Sequence, residues 1–319
     1  MMRTTRVLTG LSAVAAAPKR AVVTVGVFDG VHLAHQRLIR TVVDAARRLR
    51  GTAVGITFDP DPQAVLDPAC APAALMPLDA RVERLQVLGL DWVWIIPFTR
   101  RFASMSAERF VRRILIERLR AAMLVVGESF FCGRDRGGDL KTLRAIGAMH
   151  GMQVVAVRQM RRGGRPISSS RIRRLIQRGR LAEARQLLGR PPALHGVVVS
   201  GAGRGRALGF PTANLRLAPQ ILPPTGVYAV AVERLDSHRR WPGVMNFGVR
   251  PTFGPGPLVC EVHVLGFAGA LRGRPLAVSL VARLRGERRF PHPDALRRQV
   301  RRDLSRTRRL LRKLSGRMF

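Results

Sequence analysis

The fold of the first part of the chain is decided by the stretch Val22-Val23-Thr24-Val25-Gly26-Val27-Phe28-Asp29-Gly30-Val31-His32-Leu33-Ala34-His35. Its apolar, β-branched start predicts a buried strand, and the glycines that follow predict a tight turn. Leu38, Ile39, Val42 and Val43 then recur with helical spacing, which predicts an amphipathic helix. A strand, a tight turn and a helix in this order place both histidines at or just before a helix N-terminus.

This predicted helix start is suited to phosphate. Unpaired backbone N–H groups and the helix dipole favour anions at such a position. Imidazole donors from His32 and His35 can hold ATP phosphates and stabilise the charge that develops on a reacting α-phosphate. The alternative is a loop with two solvated histidines, because H-x-x-H spacing alone is weak evidence. The strand before the turn and the helix after it favour the phosphate site.

Composition bounds the class of protein. A chain of 319 residues predicts about two domains, and 46% hydrophobic residues suffice for ordinary cores. The three cysteines, Cys70, Cys132 and Cys260, have no C-x-x-C spacing, which argues against a disulfide framework or a zinc site. No apolar run reaches the roughly 20 residues that span a bilayer. We therefore expect a cytoplasmic protein with no membrane segment.

The formal net charge of +36 comes almost entirely from arginine. Such a field attracts polyanions, nucleic acid above all. The alternative is that arginines are scattered over solvated surfaces, although residues 297–317 are denser in them. Because no helix-turn-helix, finger or RNA-binding motif accompanies the charge, we expect no sequence-specific nucleic-acid partner.

Residues 20–160 alternate strand-like and helix-like segments, which predicts an open parallel α/β sheet with ligands beyond the carboxyl ends of its strands. Ser106 is the expected N-cap of one helix. The predicted strands are 22–28, 53–58, 92–96, 124–127 and 154–157, and the predicted helices lie near 36–49, 79–88, 106–120 and 138–150.

The pattern changes after residue 168. Residues 168–188 read as helices, and Pro191-Pro192 marks a boundary. Short alternating segments at 196–200, 227–232, 259–265 and 276–284 then predict an antiparallel barrel. A last helix begins near Pro293. The predicted domains are 1–186 and 187–319, and the apolar stripe expected to pack the last helix on the barrel is Leu296, Val300, Leu304 and Leu311.

Short motifs follow the histidine turn in a fixed order: 58–62, 126–133, 167–173, 187–191, 205–214, 226–229, 246–252 and 261–263. In this order they resemble bacterial bifunctional riboflavin kinase/FAD synthetases, whose first signature usually reads G-x-F-D-G-V-H-x-G-H. The resemblance covers nearly the whole chain. Two unrelated signatures together are far more specific than either alone.

The resemblance implies a Rossmann-like nucleotidylyltransferase domain followed by a β-barrel riboflavin kinase domain with a C-terminal helix. It also implies that residues 7–17 form a first strand and connection, whereas their short apolar run with small residues superficially resembles a signal peptide. Ser129 and Phe130 would bind or orient the flavin. The implied ATP-binding residues of this domain are Gly26, Phe28, Asp29, His32, His35, Ser169, Ser170 and Arg173.

The kinase site is expected near a glycine-rich loop, residues 201–209, in which Gly205 and Gly209 would approach ATP phosphates. Thr212 and Asn214 offer the hard oxygen ligands that Mg²⁺ prefers. The resemblance implies that Glu261 is the catalytic base, although a glutamate on a strand is more often a solvated surface residue.

Five positions depart from the family pattern. In the first domain, Ala34 replaces a glycine, Ser129 replaces Asp or Asn, and Asp61 stands where His or Gln is frequent. They predict weaker FAD synthesis, since a methyl group could crowd the nucleotide and a carboxylate or amide is lost. In the second domain, Gly266 replaces Asp and Arg272 replaces Tyr, both downstream of the base.

The implied function is flavin cofactor synthesis in two reactions, with riboflavin, FMN and ATP as substrates and Mg²⁺ accompanying ATP. The first alternative is a riboflavin kinase with an attenuated adenylyltransferase domain. The second is a basic nucleic-acid-binding protein on an enzyme scaffold. The sequence gives no oligomeric state.

Overall fold

The structure, a computed structural model, describes residues 5–201, 205, 209–249 and 258–312. The predictions that fall on Arg206–Leu208 and Arg250–Thr252 lie outside these residues. The chain divides into two compact units. The first contains residues 1–73 and 78–169, and the second contains residues 74–77 and 170–319.

The first unit is built on a six-stranded parallel sheet, as predicted. Its core is formed by buried side chains such as Val23, Ile56, Trp94 and Leu124. The strands lie in the order β1-β4-β3-β2-β5-β6. They are β1 (Arg6–Thr9), β2 (Val22–Val25), β3 (Ala53–Asp59), β4 (Trp92–Pro97), β5 (Met123–Gly127) and β6 (Gln153–Val157).

The edge strand β1 pairs with β4 in parallel, which confirms that residues 6–9 are a strand. The four predicted helices are present, and the Ser106 hydroxyl accepts a hydrogen bond from the Arg109 N–H at 3.2 Å as an N-cap. The helices are α1 (Leu33–Arg48), α2 (Pro62–Leu66), α3 (Leu78–Val87), α4 (Arg100–Ala103), α5 (Ala107–Phe110, continued by a π-helical segment Val111–Arg118) and α6 (Leu140–Met149).

The chain order of the sheet reverses at β2. From β2 the chain adds β3 and β4 on one side, and then returns to place β5 on the other side of β2. Ligands of open α/β sheets bind at such a reversal, beyond the carboxyl ends of the strands. The histidine turn follows β2 directly, so the topology places it at this point. A short hairpin, β7 (Arg161–Arg162) and β8 (Arg165–Pro166), follows β6 and was not predicted.

Helix α7 spans Ser169–Gln177, and from Ser170 onwards it belongs to the second unit. Helix α8 (Leu181–Leu188) and a closed antiparallel barrel follow. Leu181 of α8 is buried with the barrel core. The barrel order is β10-β13-β12-β11-β14-β9. The strands are β9 (Ala193–Val199), β10 (Ala213–Leu217), β11 (Gly226–Arg234), β12 (Arg239–Gly248), β13 (Val259–Val264) and β14 (Pro275–Arg285).

The last helix, α9 (Pro293–Arg312), packs on the barrel, as predicted. Leu304 and Leu311 are buried, whereas Leu296 and Val300 are only half-buried. Asp303 adds a buried ion pair, 3.0 Å from the Arg285 guanidinium on β14. No helix among the described residues has both the length and the apolar character needed to cross a membrane.

Candidate active sites

The histidine turn is compact and locally strained. A 3₁₀ turn, Asp29–Val31, connects the end of β2 to α1. Phe28 and Val31 have φ angles of 53° and 39°, which non-glycine residues rarely adopt. His32 is the N-cap of α1, and its Nδ1 accepts a hydrogen bond from the His35 N–H at 3.3 Å. The strain indicates that the surrounding structure holds this turn in one conformation.

The two imidazoles stack on each other. Their ring centroids are 3.6 Å apart with an interplanar angle of 18°, and the Phe28 ring meets His35 edge-on. His32 is buried, and His35 is half-buried. Burial and the neighbouring His32 lower the pKa of His35 well below its usual value. His35 is therefore neutral at pH 7, so one ring nitrogen can donate to an anion and the other can accept.

His35 Nδ1 is buried, and it has no hydrogen-bond partner among the described residues. Buried polar groups are normally paired in a finished structure. The unpaired nitrogen, at a helix N-terminus, is therefore consistent with a polar ligand at this turn.

Arg81 on α3 is a site residue that the sequence analysis missed. Its guanidinium donates to the Val27 carbonyl at 2.8 Å and to the Phe58 carbonyl at 3.1 Å. Thr57 donates to the same Val27 carbonyl at 3.1 Å. Arg81 therefore joins the segment after β2 to the end of β3. Burial lowers the pKa of Arg81, and the carboxylates of Asp29, Asp59 and Asp61 oppose that shift.

A cavity of about 760 Å³ opens beside the turn, with Gly26 in its wall. Its lining is mostly apolar and includes Phe58 and Phe102, and the predicted flavin residues Ser129 and Phe130 also line it. A cavity of this size and character suits a drug-sized, largely aromatic ligand. Ser129, Phe130 and Gly26, which directly follows β2, thus line one cavity in the first unit.

The departures from the family pattern occupy defined places. Ala34 lies in the first turn of α1, between the two histidines. Asp61 caps α2, since its carboxylate accepts a hydrogen bond from the Gln63 N–H at 2.9 Å. Ser129 is exposed at the cavity wall.

The predicted second phosphate-binding element is the start of α7. Ser169 is its first residue and donates from Oγ to the Asp29 carbonyl at 2.9 Å. Ser170 is exposed in the same turn, and Arg173 follows one turn later. Ser169 thus fixes the backbone of Asp29 in the histidine turn.

In the second unit, Asn214 and Glu261 are neighbours across the β10–β13 ladder. Cys260, Val262 and Val264 are buried in the barrel core. Because side chains alternate along a strand, Glu261 projects from the outer surface. Asn246 of β12 is the neighbour of Glu261 on its other side. Burial, and next the charge of Glu261, raise the pKa of the Cys260 thiol to about 12, so this thiol is inert at neutral pH.

Glycines pack against the predicted metal ligands. A Cβ atom on Gly201 would overlap the Asn214 side chain, and one on Gly205 would lie 2.9 Å from the Thr212 hydroxyl. Gly209 has a φ angle of +85°, which suits glycine. The backbone at Gly201 and Gly205 therefore lies close to the side chains of Asn214 and Thr212.

A cavity of about 530 Å³ includes Gly201, Thr212, Asn214 and Arg272 in its wall. A hydroxyl, an amide oxygen and a nearby carboxylate form a donor set that suits Mg²⁺. The residues present therefore fit a magnesium ion bound together with ATP. Gly266 is exposed, with a φ angle of +70° that an Asp would adopt less easily.

Two family models match the chain, FAD synthetase over residues 14–171 and riboflavin kinase over residues 188–311. The bifunctional riboflavin kinase/FMN adenylyltransferase of Escherichia coli K12 is 37% identical over 93% of this chain and 95% of the relative. The one from Pseudomonas fluorescens is 38% identical over 91% of this chain and 92% of the relative.

Among solved structures, the chain is similar to the crystal structure of a macrolide-efflux protein from Streptococcus pneumoniae. The TM-score is 0.83, with 30% identity over 94% of this chain and 99% of that one. The likeness therefore extends over both units of the chain.

Proposed function

The chain belongs to the family of bifunctional riboflavin kinase/FMN adenylyltransferases, and from that premise we propose which side chains carry each reaction. Two enzyme domains matched in one chain carry the assignment. The protein is an enzyme of flavin cofactor synthesis, as the sequence predicted. It converts riboflavin and ATP to FMN and ADP, and FMN and ATP to FAD and diphosphate.

The adenylyltransferase is assigned to residues 1–186 and the kinase to residues 187–319. The matched ranges, 14–171 and 188–311, support this division of activities. Leu181 is nevertheless buried with the barrel core. We therefore expect residues 170–319 to be more stable on their own than residues 187–319, with kinase activity in both.

In adenylyl transfer, a phosphate oxygen of FMN attacks the α-phosphorus of ATP, and the bond to the β-phosphate breaks to release diphosphate. His32 and His35 bind the ATP phosphates at the N-terminus of α1 and stabilise the developing charge. Gly26, Phe28 and Asp29 shape this turn. The proposal is supported by the paired imidazoles and the unpaired Nδ1 of His35.

Further groups position the two substrates. The cavity of about 760 Å³ takes the flavin ring, with Ser129 and Phe130 at its wall. Ser169, Ser170 and Arg173 form the second phosphate-binding element, because hydroxyls and an arginine at a helix start hold phosphate oxygens.

In the kinase reaction, Glu261 accepts the proton of the terminal ribityl hydroxyl as that oxygen attacks the γ-phosphate of ATP. Thr212 and Asn214 would hold Mg²⁺, which would supply positive charge to the ATP phosphates. Gly205 and Gly209 allow the loop backbone to approach those phosphates. The register of Asn214 and Glu261 across adjacent strands supports this arrangement.

We place both reactions in the cytoplasm, because the three cysteines show no spacing of a disulfide framework and fit a reducing compartment. We also propose that Ala34 and Ser129 slow FAD synthesis relative to FMN synthesis. The first adds a methyl group between the phosphate-binding histidines, and the second supplies no carboxylate at the flavin cavity.

Glu261→Gln in the full chain tests the kinase assignment. The kcat for FMN formation should fall by roughly 10²–10⁴, the usual contribution of a positioned general base, while FAD formation from FMN is unchanged. The matched control is Glu233→Gln, because Glu233 is also on a barrel strand but pairs with Arg240 at 2.9 Å. An equal loss of FMN formation in the two variants would contradict the role of Glu261.

A further inference from the structure

The exposed face of α9 carries a row of arginines. Arg298, Arg301, Arg302, Arg308 and Arg309 are all exposed. At about 100° per residue these five positions fall within an arc of roughly 120°, and they extend along about 16 Å of the helix axis. They form one continuous basic surface, which we call the arginine row.

The acidic residues of α9 do not neutralise the arginine row. Asp294 pairs with Arg297 at 3.1 Å. Asp303 is on the opposite, buried face, where it accepts hydrogen bonds from Arg285 and Gln299, each at 3.0 Å. Within the described part of the chain, the five arginines have no ion-pair or hydrogen-bond partner.

The barrel fixes which face of the helix is exposed. Leu304, Thr307 and Leu311 are buried, and Arg306 donates to the Leu284 carbonyl at 3.1 Å. The helix therefore cannot rotate the arginine row away from solvent. Since the apolar face is already covered, α9 has no apolar surface to insert into a membrane, as an interfacial helix requires.

We propose that the arginine row binds the phosphate backbone of nucleic acid without sequence selectivity. Guanidinium groups form paired, charge-assisted hydrogen bonds with phosphate oxygens. Phosphates recur every 3.4 Å along a strand of duplex DNA, so a row of cations along a helix meets several of them. Contacts to phosphate fix a protein on the duplex but carry no sequence information, so binding through this row is not selective. None of the five arginines is among the residues proposed for either catalytic site.

The test compares two triple variants of the full chain with the same net charge. The row variant combines Arg301→Gln, Arg302→Gln and Arg309→Gln, and it removes part of the arginine row. The matched control combines Arg40→Gln, Arg48→Gln and Arg113→Gln, and it removes three exposed arginines from the first unit. Binding to a random-sequence DNA duplex and to a single strand is measured by fluorescence anisotropy across a salt series. FMN and FAD formation at parental rates shows that both variants fold.

The logarithm of the DNA-binding constant falls linearly with the logarithm of the salt concentration, and each phosphate contact makes this slope steeper by about 0.9. The row variant should therefore lose about 2.7 from the slope and bind DNA roughly 10²–10³-fold more weakly at 0.1 M salt, whereas the control should lose less than about tenfold. Equal losses in the two variants would show that binding follows total charge and would overturn the proposal. Tighter binding to polyglutamate or to phosphatidylserine vesicles than to DNA would also overturn it.

Discussion

Arg81→Met should slow adenylyl transfer without affecting the kinase. The guanidinium holds the Val27 carbonyl at 2.8 Å and the Phe58 carbonyl at 3.1 Å, so it joins the histidine turn to β3. Methionine fills a similar volume but donates no hydrogen bond. The Phe58 carbonyl then loses the bond from Arg81, whereas the Val27 carbonyl keeps the bond from Thr57.

The expected size follows from these contacts. Two hydrogen bonds from a charged donor contribute about 1.5–3 kcal/mol each. The cost of burying the guanidinium, seen as its lowered pKa, offsets part of that contribution. A net loss of about 2–3 kcal/mol in the free energy of unfolding of the first unit is therefore expected. A displacement of about 1 Å at the turn should lower kcat for FAD formation by roughly 10².

Arg81→Lys and Arg84→Met complete the experiment. Lysine keeps the charge but lacks the planar guanidinium that reaches two carbonyls. The kcat of Arg81→Lys for FAD formation should therefore lie between those of the parent and Arg81→Met. Arg84 lies on the same helix, half-buried, and its loss should leave FAD formation unchanged. Steady-state FMN adenylylation is the assay, and riboflavin phosphorylation on the same samples checks that the kinase is unaffected. Parental kcat in Arg81→Met would refute the reasoning.

Three further predictions concern other parts of the chain. Ala34→Gly combined with Ser129→Asp should raise the rate of FAD formation and leave FMN formation unchanged; an unchanged or lower rate would show that the native residues are accommodated. Because the pKa of His35 is lowered in the folded state, its neutral form favours folding above the unfolded pKa of about 6.5, and this contribution is lost as the pH falls towards the lower folded value. The urea midpoint should therefore fall less between pH 7 and pH 5 in His35→Asn than in the parent, and identical pH profiles would contradict the shift. Asp303→Ala leaves the Arg285 guanidinium buried without its partner and should cost about 3–5 kcal/mol, measured as a lower urea midpoint for loss of kinase activity. An unchanged midpoint would show that the ion pair contributes little.

Local sequence patterns were sufficient to predict most strands of the parallel sheet. Buried parallel strands are continuous apolar runs, and 53–58 and 92–96 were therefore readable within a residue or two of their observed bounds. Two barrel strands were missed. Arg239–Gly248 contains a proline, two glycines and three polar residues, and Ala213–Leu217 is a short strand that follows a loop rich in glycine. Both depend on pairing with distant strands, which local propensity does not report.

The other residues of the candidate sites could be predicted because they lie in sequence motifs. Arg81 lies in no such motif. It is one of more than fifty basic residues, and nothing near it in the sequence distinguishes it from solvated arginines. Only the packing of α3 against the ends of β2 and β3 reveals its two carbonyl partners. The structural role of Asp61 as a helix cap was equally hidden, because the sequence showed only that it stands where His or Gln is frequent in the family.

The most direct test of two independent active sites is product chromatography after incubation with riboflavin, ATP and Mg²⁺. The parent should form FMN and then FAD. His32→Ala combined with His35→Ala should stop at FMN. Glu261→Gln should form FAD from added FMN at the parental rate, but from riboflavin roughly 10²–10⁴ times more slowly than the parent. FAD formation at the parental rate in the histidine variant, or from riboflavin in the glutamate variant, would contradict the account.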